Sequence, residues 1–336
     1  VTDRGIIAVG GEIDIKQRTL NVELAAMKAN PAIVTAVMKD PPEIKGETDM
    51  LVQLSGTFDN PEATASMEIA KGSVAGVGID KLTALLALKD DHIQLQQLIA
   101  AKDVYGVTAS GDIPLDIFRS QEQRKNPNAQ MNIVVDLDNA RLGILPAMTK
   151  LVEWGVGETK GKIRVAGTLE EPLLYGSVKI ADGSVKVKHL NTVLDAINLD
   201  VVFNGNMINL KNLSTKLGKG LLKAEGSYAL NTSLDSGYSL HIVADKAQLA
   251  SQLFTGTING DVLIEPQKYP DFKNHKGSGE PKMLFRPLVK GHVRLDDVLV
   301  NMPTVPELDE GESNIGLDMK LELGPKIHLY NSYLYD

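Results

Sequence analysis

Cysteine is absent from the 336 residues, which excludes disulfide scaffolds and thiolate zinc sites. Aromatic residues are scarce, 4% of the chain with a single tryptophan. A transmembrane β-barrel carries aromatic girdles at both interfaces, so this scarcity argues against one. No run of 18 or more apolar residues occurs, so no segment reads as a membrane-spanning helix. Positive charge is not in excess: 35 Lys and Arg stand against 43 Asp and Glu, a formal charge of −8. Nucleic acid is thereby set aside as a partner, because phosphate binding needs a basic face. Polybasic docking on anionic lipid is disfavoured for the same reason.

Catalytic patterns are missing as well. The six histidines (His92, His189, His241, His275, His292 and His328) form no i, i+4 pair and no HExxH. No Gly-rich phosphate loop precedes a helix, and no serine sits in a GxSxG elbow. Asp80, Asp90, Asp91, Asp182 and Asp195 fall at strand ends and turns, where turn chemistry accounts for them. Asp90-Asp91 is too short for a calcium loop, and Asp296-Asp297 reads as a turn. The expectation is a protein that is not an enzyme and holds no metal or cofactor.

What the chain has in abundance is alternation. Ile163, Val165, Gly167 and Leu169 fall on one face, with Lys162, Arg164 and Thr168 on the other. Val178 and Ile180 alternate with Ser177 and Lys179, and Val185 and Val187 with Lys186 and Lys188. Ile197, Leu199, Val201 and Phe203 continue the pattern, as do Ile315, Leu317, Met319, Leu321 and Leu323. A period of two marks strands with one buried face. Turn residues recur at Lys89-Asp90-Asp91, Asp182-Gly183, Asn204-Gly205-Asn206 and Asn259-Gly260-Asp261. Such close spacing predicts hairpins and meanders in an antiparallel sheet. Three short helices are expected at Ala32–Lys39, Ala147–Trp154 and Lys246–Phe254, from Asn, Asp or Pro at the start and Gly past the end. The segment from Pro266 to Pro287 is rich in Pro, Gly and Lys without periodicity, and reads as an exposed loop.

The chain also repeats. Gly56-Thr57-Phe58-Asp59-Asn60-Pro61 matches Gly167-Thr168-Leu169-Glu170-Glu171-Pro172, and Gly72-Ser73-Val74 matches Gly183-Ser184-Val185. Ile93, Leu95, Leu98, Ala109, Gly111 and Leu115 then match Ile208, Leu210, Leu213, Ala224, Gly226 and Leu230. Units at 31–118, 146–230 and 246–336 follow, within one continuous elongated segment of a longer protein. Repeated β units stack into a quasi-one-dimensional sheet. About 22–26 strands at ~4.8 Å spacing make a sheet on the order of 110–120 Å long. One face of it is apolar throughout and needs a cover that three short helices do not supply.

The Gly-Thr-x-x-x-Pro units at Gly56 and Gly167, the Gly-Ser-Val turns after them and the Gly-x-Tyr-x-Leu strand at Gly226–Leu230 resemble the TamB family and the wider AsmA-like group of bridge-type proteins. The stretch Leu317–Leu329, two alternating segments about Gly324, is similar to the end of the TamB C-terminal domain. The resemblance implies an all-β, U-shaped β-taco with an apolar groove, periplasmic and anchored in the inner membrane by a segment outside this chain. It implies phospholipid traffic to the outer membrane, with lipid acyl chains and an Omp85-type barrel as partners. The alternative it implies is a translocation and assembly scaffold for outer-membrane proteins beside such a barrel. The groove-lining candidates are the apolar-parity residues Val52, Leu54, Ile163, Val165, Ile197, Leu199, Val201, Leu222, Tyr228, Leu317, Met319 and Leu321.

Overall fold

The computed structural model describes residues 5–31, 43–74, 77–102, 105–119, 124, 126, 128–137, 140–141, 151–168, 170–188, 190–230, 237–251, 254–270, 282–302 and 315–331. Within them the chain is all-β, with nineteen strands and one 3-10 turn at Leu115–Phe118. Several of these strands are long, up to the twenty residues of Met283–Met302. No helix among the described residues is long and apolar enough to cross a membrane. Two compact units are present: residues 1–150 with 158–178, and residues 151–157 with 179–336.

Unit 1 is a meander. β1 (Ile6–Asp14), β2 (Thr19–Ala29), β3 (Ile44–Thr57), β4 (Pro61–Val74), β5 (Val77–Lys89), β6 (His92–Lys102), β7 (Tyr105–Pro114) and β8 (Met131–Asp136) each pair antiparallel with the strand before. β8 and the two-residue β9 (Ala140–Arg141) both pair with that part of β10 (Val152–Gly167) which lies in this unit. β10 and β11 (Pro172–Val187) contribute residues to either unit. In unit 2, β12 (Val193–Gly205), β13 (Met207–Leu217), β14 (Gly220–Ala229), β15 (Tyr238–Ala250), β16 (Phe254–Pro270) and β17 (Met283–Met302) continue the antiparallel pattern.

Few hydrophobic side chains are fully buried, and several of them are alanines or sit beside a bulge. Unit 1 buries Ala26, Ala29, Ile69, Ala84, Leu95 and Met131; unit 2 buries Val185, Ile197, Leu217, Ala224, Ala229, Ala247 and Val298. Bulges bend strands and sharpen their twist. Both units build one in the same way. Lys28 takes a left-handed φ of 48° and its N–H donates to Asp49 Oδ1 at 2.8 Å. Lys246 takes a φ of 49° and its N–H donates to Asn259 Oδ1 at 2.8 Å.

Several sequence expectations need correction. Lys246–Ala250 belongs to β15 rather than to a helix, and Phe254 starts β16. The ladder Ala247–Ile258, Gln248–Thr257, Leu249–Gly256 and Ala250–Thr255 replaces the helical stripe. Gly256, read as a helix stop, instead makes room for Val298, whose Cγ2 lies 2.8 Å from where a Cβ would stand. Val152, Glu153 and Trp154 open β10 and are not helical. Leu151 is an exposed turn residue before that strand; residues 147–150, and all of Ala32–Lys39, lie outside the described residues.

Lys89-Asp90-Asp91 and Asn204-Gly205-Asn206 do join hairpins. Asp182-Gly183, Asn259-Gly260-Asp261 and Asp296-Asp297 lie inside strands. Asp182 and Asp297 take left-handed φ of 49° and 52°, and Asp297 sits at the register shift between β16 and β17. The ends of the expected 266–287 loop are strand, paired from Pro266–Pro287 to Pro270–Met283, and residues 271–281 lie outside the described residues.

The last strands also depart from an antiparallel pattern. β18 (Gly316–Leu323) and β19 (Ile327–Asn331) both run parallel to β17, from Leu288–Gly316 to Met302–Asn331. Alternation reports which face a residue takes and is silent on strand direction. The long stretch after Met302 exceeds a hairpin loop, which leaves direction open.

Candidate functional site

In an antiparallel or parallel ladder, residues directly opposite one another project to the same face. The registers of unit 1 therefore assemble rows that cross the sheet. One runs Val9, Leu24, Val52, Ala65, Leu86, Leu95, Gly111, Ile133 and Val165 through nine strands. Beside it run Ile7, Ala26, Met50, Met67, Ala84, Leu98, Ala109, Val135 and Ile163. On the other side lie Gly11, Val22, Leu54, Ala63, Leu88, Ile93 and Ile113. Not one of these residues is charged or polar.

Unit 2 repeats the arrangement. Leu199, Leu213, Ala224, Ile242, Val262, Gly291 and Met319 form one row. Val201, Leu210, Gly226, Leu240, Ile264, Val289 and Leu317 form the next. Thr215, Leu222, Ala244, Gly260, Val293 and Leu321 flank the first, and Phe203, Ile208, Tyr228 and Tyr238 flank the second. Gly291 has its place here for a steric reason. At its φ of 139° a Cβ would collide with the Asp261 carbonyl of the neighbouring strand.

Within each unit the structure thus brings the sequence candidates together. Val52, Leu54, Ile163 and Val165 share one face in unit 1, and Leu199, Val201, Leu222, Tyr228, Leu317, Met319 and Leu321 share one in unit 2. Ile197 differs: it is buried at the bulge between Asp195 and Asn198. Most row residues are half-buried, and some are open, such as Val9 at 67% and Leu317 at 74% exposure. Close backbone approaches within each unit are mostly those of ladder neighbours. Burial still tells on Tyr238, whose hydroxyl pKa is pushed up by desolvation.

The opposite faces carry the charge. His92 Nδ1 meets Asp112 Oδ2 at 2.6 Å in unit 1. In unit 2, His241 Nε2 meets Asp261 Oδ1 at 2.7 Å and its Nδ1 lies 3.7 Å from Glu225. Lys320 beside Glu322 holds that carboxyl below its usual range. No cluster of three metal-ligating side chains occurs among the described residues.

Sequence reasoning missed Met50, Met67, Leu98, Leu213, Ile242 and Val262, which lie as fully on the rows as the candidates do. Their segments alternate too. The bulges at Ala26/Ala29 and Leu210/Leu213 shift parity between strands, and nothing short of the register reveals that shift.

A family model described as the TamB C-terminal domain matches residues 96–269, more than half of the chain. No curated protein and no solved structure matches it.

Proposed function

This chain belongs to the TamB family, and from that membership together with its uncharged rows we propose that it carries phospholipid through the periplasm toward the outer membrane. The rows carry the reading. Moving a phospholipid through water exposes two acyl chains, and at ~0.8 kcal/mol per CH₂ two chains of about 16 carbons cost roughly 25 kcal/mol. A face that runs without a charge through nine strands in unit 1 offsets most of that cost wherever the chains lie along it. Such a face asks for no polar recognition along its length, and the role is not enzymatic. An Omp85-type barrel is the proposed partner at the outer membrane.

Organic extraction of the purified protein followed by lipid mass spectrometry tests the reading. Stoichiometric phospholipid is expected. Protein that emerges free of lipid, and takes up none from donor vesicles, overturns the carrier role and favours the scaffold for outer-membrane proteins.

A further inference from the structure

We propose that Lys268 receives the anionic phosphate of a phospholipid whose acyl chains lie on the apolar rows of unit 2, an inference that rests on the lipid-carrying reading above. The β16–β17 ladder runs in one unbroken register from Ile258–Leu295 to Pro270–Met283. Among the described residues its neighbours stop sooner: β15 last pairs at Leu240–Ile264, and β18 first pairs at Gly316–Leu288. Pro266 and Pro287 face each other where both neighbours end. Neither proline has an N–H to offer a further strand, and among the described residues the ladder continues as a two-stranded finger.

The finger keeps the parity of the sheet. Ile264–Val289 belongs to an apolar row; two residues on stands Pro266–Pro287, and four residues on stands Lys268–Phe285. Lys268 Nζ sits 5.3 Å from the Phe285 ring centroid, which places the ammonium on the apolar parity. Arg286 takes the opposite face, 4.8 Å over the Tyr269 ring, with Nε donating to Gln267 Oε1 at 3.0 Å. Three other cations of the neighbouring strands are matched by carboxylates: Lys290 by Glu265, Arg294 by Asp296 and Lys320 by Glu322. Lys268 has an aromatic ring and, among the described residues, no carboxylate.

An apolar track that ends in an unmatched cation fits a ligand with an apolar tail and an anionic head. The dimensions agree. Six residues of strand separate Val262 from Lys268, ~20 Å at about 3.3 Å per residue, and one leaflet of hydrocarbon is about 15 Å deep. A single molecule can therefore lie along Ile264 and Val262 with its phosphate at Lys268. A neutral lipid gains only the track, and a free phosphate gains only the ammonium.

The test compares phosphatidylglycerol with diacylglycerol of the same acyl chains, each bearing the same fluorophore, on the purified full chain. Phosphatidylglycerol is expected to bind about tenfold more tightly, the scale of one charge-assisted contact. Lys268→Gln should erase that preference and leave diacylglycerol affinity unchanged, with an unaltered melting temperature. Arg286→Gln should leave the preference in place, because its cation stands on the other face. Millimolar inorganic phosphate should not displace the lipid. The inference is overturned if Lys268→Gln keeps the preference, if phosphate alone competes, or if the variant loses only sedimentation with anionic vesicles while binding of monomeric lipid is unchanged. Failure of both lipids to bind the unsubstituted protein overturns the carrier reading itself, a different result from loss of the preference alone.

Discussion

Unit 1 begins in β1, a strand whose nine residues are all exposed and whose apolar parity, Ile7, Val9 and Ile13, carries no charge. Unit 2 ends in β18 and β19, which lie parallel to β17 and expose Leu317, Leu321 and Leu329. Among the described residues β1 in unit 1 and β18 with β19 in unit 2 expose apolar residues, yet β1 is joined by a hairpin and β18 and β19 by a parallel return. The same bulge device, a left-handed lysine held by an Asp or Asn on the next strand, bends β2 in one unit and β15 in the other. Face and curvature are thus repeated between the units while connectivity is not. A function resting on a continuous face tolerates that freedom, whereas one built on a fixed constellation of side chains would not.

The sharpest way to separate packing from carriage is to place a charge at two depths. Ile69 is fully buried in unit 1. Ile69→Glu leaves an unpaired buried carboxylate, which costs several kcal/mol, and the cooperative melting transition of unit 1 is expected to disappear. Val165 in unit 1 and Leu199 in unit 2 are only half-buried members of rows. Val165→Glu and Leu199→Arg should cost about 1 kcal/mol, the scale of partly exposed substitutions, while co-purified lipid falls severely. Folded Leu199→Arg protein that still carries normal lipid would break the carrier reading for this face.

A second contrast sets two glycines against each other. Gly291 in unit 2 has a φ of 139° and no room for a Cβ, whereas Gly10 in unit 1 has nothing within 4 Å of that position. Gly291→Ala is expected to destabilise by about 1–3 kcal/mol. Gly10→Ala should be neutral or stabilise by ~0.5 kcal/mol through the unfolded chain. Urea midpoints for the pair measure the difference, and equal midpoints would sink the argument from strand approach.

Third in size is the lysine bulge. A non-glycine residue in the left-handed region carries ~1 kcal/mol of strain. Lys28→Gly and Lys246→Gly should each raise stability by about 0.5–1 kcal/mol, one unit at a time. Asn259→Ala removes the acceptor for the Lys246 N–H and should lower it by ~1 kcal/mol. Gains in one unit only would show that the two bulges are not equivalent.

Much of this was legible in the sequence because alternation is a local property. Alternation assigns Val52, Leu199 and Met319 to a face without any neighbour being known, and the registers set them opposite Leu24, Leu213 and Gly291. What alternation lacks is direction and cross-strand identity. The parallel return of β18 was invisible for that reason. So were the proper uses of Gly256 and Gly260, which read as a helix stop and a turn but serve close approach of β16 to β17. The finger reads as a loop in the sequence because its Pro-, Gly- and Lys-rich stretch shows no periodicity, yet its ends pair from Pro266–Pro287 to Pro270–Met283. Lys268 acquired meaning once register placed it four residues beyond Ile264 on the same face.

The smallest expected effect concerns the polar face of unit 2. His241 has its pKa raised above 6.5, first by the hydrogen bond to Asp261 and then by the charge of Asp261 and the more distant Glu225; partial desolvation opposes them. A histidine whose folded pKa exceeds its unfolded value stabilises the fold when protonated. That contribution is complete below the unfolded value and is lost as pH rises through the folded one, so unit 2 should weaken slightly between about pH 6 and pH 8. The imidazole is exposed, so solvent screens the pair and the change in midpoint will be slight. An NMR titration of the His241 ring protons reads it directly. A midpoint above 6.5 that falls in Asp261→Asn is expected, together with a flatter pH dependence of the unit 2 transition. A midpoint at or below 6.5 in the unsubstituted protein would mean that the His241–Asp261 contact does not persist in solution.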